Sequence, residues 1–306
     1  MNHREELLEK LSEVQRLAEG PKILRFLAAP LRYGLAMAYR YLLYPLTHRG
    51  LSIRARTFFG ANMRLHLPAG TDIYLCRGKT HDSEIRLARL LLRALRPGDQ
   101  LLDIGAHVGY FSLLAWHCVQ PEGRVVAVEA TPSTFSLLQH NTGASGVVSL
   151  HLALTNAQGI VQINEYPLLY SEFNTLSAEQ YEGEQWHARV KAKSWDVSGM
   201  PGDMLLREQN LQPKWIKIDV EGAEALVVEG LQHYLRECQP TVIMEFASSE
   251  HSQRAHVEAE RQLLALGYQA HTIQASGELR LLEQPTPHYL RHLHTESDNI
   301  VYRVLK

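Results

Sequence analysis

Five short apolar runs constrain this chain more than anything else in it: LLDIG (101–105), RVVAVE (124–129), VVSLHLA (147–153), WIKID (215–219) and TVIMEF (241–246). Each is too short for a helix core, and helical patterns at 110–118, 132–141 and 223–235 lie between or after them. Strands that alternate with helices pair in parallel, because the crossover helix returns the chain to the same end of the sheet. After LLALGY (263–268), QAHTI (269–273) and NIVYRV (299–304) supply two closing strands. The expectation is an α/β, Rossmann-like fold with a seven-stranded, mostly parallel sheet.

Residues 156–200 break that rhythm. GIVQINEY and ARVKAKSW alternate with period two and are expected to form an antiparallel insertion near the mouth of a site. Upstream, MRLHL and DIYLC flank Pro68-Ala69-Gly70-Thr71 and are expected to form a hairpin, followed by a helix over 83–95. Residues 1–19 carry a leucine-bearing helical pattern that Gly20-Pro21 stops. Residues 22–56 read as one or two amphipathic helices broken near Pro30. The boundaries are therefore a helical, basic extension over 1–60 and a catalytic domain over 61–306, with an insertion at about 156–200.

A net charge of −2 argues against a nucleic-acid footprint, which would be basic. Cys76, Cys118 and Cys238 are odd in number and far apart, which fits neither a metal site nor a disulfide framework and points to a reducing compartment. The polar, acidic start MNHREELLEKLSEV is unlike a signal peptide, so a cytoplasmic placement is expected. No apolar run approaches the roughly 18 residues of a membrane span, since Arg32 and Arg40 interrupt the best candidate. That segment is unusual all the same. Between Lys22 and Thr71 there are eight Lys and Arg residues and no acid, and Lys22, Arg25, Arg32 and Arg40 fall within about an 80° arc of a helix. Peripheral contact of 22–56 with an anionic membrane face is one reading. A helical hairpin packed on the domain, or a dimerisation arm, are the others, and the oligomeric state stays open.

The stretch LLDIGAHVGY (101–110) carries the chemistry. A buried strand ends near an acid, and a glycine turn then opens a helix. Gly105 permits the tight turn and Gly109 lets the helix approach the sheet, which places a ligand at the carboxyl end of the strands. A dinucleotide loop would read G-x-G-x-x-G, whereas this one reads G-x-x-x-G with His107 in place of the middle glycine. Asp103 suits the amino group of S-adenosylmethionine, and backbone N–H groups of the loop suit its carboxylate. Glu129, twenty residues past Gly109, suits both ribose hydroxyls. A generic βαβ turn with a capping acid is the bland alternative to this cofactor site.

KIDVEGAE (217–224) resembles the K-x-D-x-E-G-x-E signature of the FkbM family of methyltransferases. Asp103–Gly109 is similar to that family's D-x-G-A-N-x-G loop, with His107 for Asn, and Glu129-Ala130-Thr131-Pro132 to its E-P-x-P, with Ala130 for Pro. The strand 240–245 ending in Glu245, Gly267-Tyr268 and Asp298-Asn299 extend the resemblance over roughly 65–305. It implies a class I methyltransferase fold and S-adenosylmethionine-dependent O-methylation of a sugar, glycan or related metabolite. It also implies a cofactor role for Glu84, beside Asp103, Gly105, Ala106, His107, Gly109 and Glu129.

Methyl transfer to a hydroxyl needs an acceptor oxygen held about 3 Å from the methyl carbon and a base for its proton. Asp219 is the leading base, with Glu221 and Glu245 as catalytic partners and Glu224 close by. Crowded carboxylates raise one another's pKa. They equally suit Mg²⁺, although the reading favours no metal, and Glu221 and Glu224 also suit a plain helix N-terminus. His107 and His251 are weaker base candidates. His288, His292 and His294 have metal-like spacing but belong to a polar surface segment. Tyr170, Trp186 and Trp195 could stack on a sugar, though core packing is the commoner fate of such rings. The rival functions are an NAD-dependent oxidoreductase, which would share Glu129, and a non-catalytic scaffold that keeps the fold.

Overall fold

In the computed structural model, residues 3–176, 190–247, 253–293, 295 and 297–305 are described. Trp186, His251 and His294 lie outside them. Four helices open the chain: α1 (His3–Glu19), α2 (Lys22–Ala28), α3 (Pro30–Ala38) and, after a π-turn at Tyr39–Leu43, α4 (Tyr44–Thr47). The break between α2 and α3 falls at Ala29-Pro30, where a proline opens the next helix. β1 (Leu51–Arg56) and β2 (Asn62–Leu67) then pair antiparallel.

Two expectations fail here. Leu51–Arg56 is a strand, so the helical extension stops at Thr47. DIYLC is not the partner of MRLHL, because Thr71–Cys76 forms helix α5. Ile73, Tyr74, Leu75 and Cys76 are all buried, so the segment has no polar face to alternate with, and five residues are too few to separate the two periods.

The main sheet combines β3 (Gln100–Ile104), β4 (Arg124–Glu129), β5 (Val148–His151), β9 (Trp215–Ile218), β10 (Thr241–Ala247), β11 (Gln269–Ile273), β12 (Leu279–Leu281) and β13 (Ser297–Arg303). Its order is β12-β11-β13-β10-β9-β3-β4-β5, with β5 through β10 parallel and β13 antiparallel to both its neighbours. The sheet has eight strands rather than seven. The extra one, β12, is a three-residue edge strand with mostly exposed side chains and so left no apolar pattern in the sequence. A separate sheet joins β6 (Ala153–Thr155) and β7 (Gly159–Glu165) to β8 (Lys193–Pro201), with β7 and β8 antiparallel and β6 and β8 parallel.

Period two along the buried strands divides the core between the sheet's faces. Leu101, Val125 and Ala127 face a cluster that takes in α1, α6 (Asp82–Ala94), α7 (Tyr110–Val119) and α8 (Pro132–Thr142). Leu102, Val126 and Val128 face the other, built from α9 (Gly202–Glu208), α10 (Glu224–Gly230), α11 (Gln232–Cys238), α12 (Gln253–Ala265) and α13 (Thr286–Leu293). Arg86 of α6 is tied to buried Asp298 of β13 at 2.9 Å, which fixes the closing strand. α1 joins the first core through Leu7, Leu11 and Val14, and Arg4 donates to the carbonyl of Leu95 at 2.7 Å. No helix among the described residues is long and apolar enough to cross a membrane.

Candidate active site

The reversal of strand order between β3 and β9 puts a crevice at the carboxyl edge of the sheet. There a cavity of about 600 Å³ opens. Glu84, Asp103, Gly105, Ala106, His107 and Glu129 line it, together with Asp219, Glu221, Glu224 and Glu245. Among the residues singled out from the sequence for cofactor or catalysis, Gly109 does not line it. It sits at φ +89° and opens α7, and a Cβ there would meet Leu138 at 2.8 Å.

The loop after β3 closes tightly on the neighbouring strands. Gly105 has φ +77°, and a Cβ on it would stand 1.7 Å from the backbone oxygen of Asp219. His107 also lies in the left-handed region, at φ +50°. Turned in this way, Gly105 and Ala106 both donate to the carbonyl of Val128, at 2.9 and 3.0 Å, and His107 donates its backbone N–H to Glu129 at 2.9 Å. These three N–H groups are therefore engaged within the protein, contrary to the expectation that they receive a ligand carboxylate. Glu129 accepts the N–H of Thr131 on its other oxygen at 2.8 Å. Burial pushes its carboxyl up to about 7, against those two bonds.

Asp103 is buried, and Ser112 donates to its Oδ2 at 2.5 Å. Its Oδ1 has no hydrogen-bond partner among the described residues. Burial raises its carboxyl above the ordinary range despite Lys217 and Ser112. Lys217 is the residue that joins the two halves of the site. It pairs in register with Asp103, and its buried Nζ lies 3.8 Å from Asp103 and 2.7 Å from Asp219. Burial opposes its charge, but Asp219 and Asp103 outweigh that and hold it above the usual lysine range.

At the rim, oxygens of Asp219, Glu221 and Glu245 lie within 4.8 Å of one another. Two full negative charges at that separation cost roughly 3.5 kcal/mol at an effective dielectric near 20. That repulsion works to raise the pKa of one member of the cluster. Burial and the Asp219 charge push Glu245 up to about 8, and Ser297 donates to its Oε1 at 2.6 Å. Burial also works to raise Asp219, yet Lys217 outweighs it and holds this carboxyl below its ordinary value. The crowded acid raised toward neutrality is thus Glu245, two residues short of the end of β10, while Asp219 is kept ionised. The three oxygens could hold a divalent cation, but the Lys217 ammonium already compensates Asp219.

The remaining candidates separate. Glu221 takes φ +52°, and its carbonyl accepts a bond from Thr175. Glu224 is buried at the start of α10, accepts the N–H of Gly222, and faces His256 at 3.4 Å. Its surroundings are those of a helix-terminal acid with a fixed partner. Glu84 pairs with Lys79 at 3.1 Å in the first turn of α6. His288 and His292 are exposed on α13. The Trp195 ring has the Lys193 ammonium 3.4 Å above its face and donates to Glu165, and neither it nor Tyr170 lines the cavity.

Sequence reasoning assigned no role to Lys217, Ser112 or Ser297. Lys217 did leave a trace, since a lysine inside a buried strand requires anionic partners. Ser297 lies 52 residues from Glu245 and left none.

The sheet order and its crevice define a Rossmann-like, class I methyltransferase fold. The family model for the methyltransferase FkbM domain matches residues 103–270, over half of the sequence, and the chain belongs to the FkbM family of methyltransferases. It is 26% identical over 151 residues to the hexuronic acid methyltransferase AglP of Haloferax volcanii, covering 48% of this chain and 56% of that protein. It is 33% identical over 124 residues to the 31-O-demethyl-FK506 methyltransferase FkbM of Streptomyces tacrolimicus, covering 38% of this chain and 45% of that one. The match thus spans about half the length of these relatives. The crystal structure of an FkbM methyltransferase from Methylobacillus flagellatus KT superposes on 77% of this chain and 52% of its own, with a TM-score of 0.43 and 15% identity.

Proposed function

We propose that this protein transfers a methyl group from S-adenosylmethionine to a hydroxyl oxygen of a sugar or glycan. The observation that carries the reading is the Lys217–Asp219–Glu245 rim on the same cavity as Asp103, Gly105 and Glu129. The residues present fit the cofactor. Asp103 offers a buried carboxylate oxygen without a hydrogen-bond partner among the described residues, suited to an ammonium group, and Gly105 permits the tight turn that carries the loop past Asp219 into the cavity lining. Glu129 presents two oxygens, each with one lone pair still free of the backbone bonds, for ribose hydroxyls. When bound, S-adenosylmethionine supplies an electrophilic methyl group.

The chain's own contribution is to handle the acceptor's proton. Lys217 keeps Asp219 ionised, so Asp219 orients the hydroxyl as a hydrogen-bond acceptor. Glu245, with the higher pKa, is the stronger base and takes the proton once ionised. This revises the sequence reading, in which Asp219 itself was the base. A second cavity of about 390 Å³ shares Lys79, His107, Val108 and Ser171 with the first and gives the rest of the acceptor room. The H. volcanii relative, a hexuronic acid methyltransferase, supports a sugar acceptor. The unpaired Cys76, Cys118 and Cys238 support the cytoplasmic placement.

The test is calorimetric titration with S-adenosylmethionine and separately with NADH, followed by methyl transfer to free uronic acids and other hydroxylated acceptors. Binding of the first alone, with turnover on a sugar, is the expected result. NADH binding would favour the oxidoreductase, and binding of neither would favour the scaffold. Asp219→Asn is expected to lower turnover roughly 100-fold with cofactor affinity within a few-fold. Unchanged turnover removes Asp219 from the mechanism.

A further inference from the structure

The first fifty residues hold a surface that methyl transfer does not use. Among the described residues, half of the large apolar side chains left exposed fall within residues 23–46. Leu31 is 89% exposed, Leu46 81%, Leu27 66%, Leu42 65% and Ile23 55%. This is not a loose tail. Ala36, Tyr39 and Tyr44 are buried, the Tyr39 hydroxyl donates to the Arg49 carbonyl at 2.6 Å, and the Arg32 guanidinium lies 5.5 Å from the centre of the Tyr74 ring. Arg25 turns inward and donates to the carbonyls of Leu17 and Ala18 at 2.7 and 2.5 Å, clamping α2 onto the end of α1. The layer is therefore held in place with its apolar side chains outward.

We propose that α2–α4 are a docking face for an anionic membrane surface. The charge pattern selects the occupant. Lys22, Arg32, Arg40 and Arg49 are exposed, and residues 22–71 contain no acid to answer them. A second copy placed symmetrically on this face would bring like charges together, which disfavours a dimer. Anionic headgroups would answer those cations while the leucines enter the acyl boundary. α2 has seven residues, and the helical run from α3 through the π-turn to α4 (30–47) is not long and apolar enough to span, so these helices are placed in the plane of the interface. Exposed Tyr41 has the ring type favoured at that depth.

Co-sedimentation of the full chain with phosphatidylcholine vesicles, with and without phosphatidylglycerol, tests this. Wild-type protein is expected to pellet with the anionic vesicles alone and to be released by salt. Lys22→Glu/Arg40→Glu is expected to lower the partition coefficient roughly 20-fold or more, about fivefold per basic side chain. Leu27→Glu/Leu31→Glu is expected to abolish pelleting. All four side chains are exposed, so both variants should keep the wild-type circular-dichroism melt and cofactor affinity. The proposal is overturned if the wild type does not pellet or if the variants pellet equally. It is also overturned if sedimentation velocity finds a dimer that the leucine substitutions dissociate.

Discussion

Glu129 and Glu245 stand at the same edge of one sheet, and burial raises both, to about 7 and about 8. Their partners differ in kind. Glu129 is held by two backbone N–H groups, from His107 and Thr131, which do not ionise at any working pH. Glu245 is held by the Ser297 hydroxyl and shares its surroundings with a second carboxylate. Backbone partners fix a shape, whereas side-chain partners leave a proton free to move. On the proposed function, the β4 side of the cavity would serve binding and the β9–β10 side chemistry.

The largest effect is expected where the two sides touch. Gly105→Ala forces a Cβ to 1.7 Å from the Asp219 oxygen at a left-handed φ, and should cost about 4 kcal/mol or more. Chemical denaturation reads this directly, and a variant within 1 kcal/mol of wild type would refute the close approach (about 4 expected). Next comes Glu245→Gln, expected to lower kcat roughly 100-fold with cofactor affinity unchanged. Because a base works ionised, the wild-type rate should climb about tenfold per pH unit below about 8 and level off above it, and the variant should lose that slope. A flat wild-type profile would return the base role to Asp219.

Glu129→Gln sharpens the contrast from the other side. Cofactor affinity should fall roughly tenfold, as the loss of a charge-assisted bond implies, while kcat at saturating cofactor stays within a few-fold. An equal loss in both would erase the division between binding and chemistry. The last effect concerns stability and its dependence on pH. The folded state holds a proton on Glu245 that the unfolded chain releases near its ordinary pKa of 4.5. Wild-type protein should therefore lose stability relative to Glu245→Gln as pH rises from about 4.5 to about 8. Melting curves of the pair across that range check the sign, and Glu129, common to both proteins, cancels.

The sequence disclosed the sheet because buried parallel strands read as unbroken apolar runs, and it disclosed the Gly105–Gly109 turn because few residues tolerate such backbone. It concealed whatever depends on distant partners. Asp219 is depressed by Lys217, two residues away, but Glu245 is raised by burial and by the charge of Asp219 on the neighbouring strand, and nothing near Glu245 in the sequence marks that pairing. It concealed β1 because LSIRAR alternates but is too basic to look like a core strand, and its outward positions, Ser52, Arg54 and Arg56, are exposed. The break at Pro30 was legible, since proline opens helices and does not continue them.

The contact between Gly105 and the Asp219 carbonyl also bears on how such a site can change over generations. The loop after β3 and the end of β9 are neighbours without a side chain's width between them. Neither can drift without the other, so selection must hold both constant together. On the proposed function, acceptor choice would instead be tuned in the segment that follows β7, where Ser171 and Asn174 edge the cavity. Inheritance would preserve the chemistry in the sheet and spend its variation in the insertion.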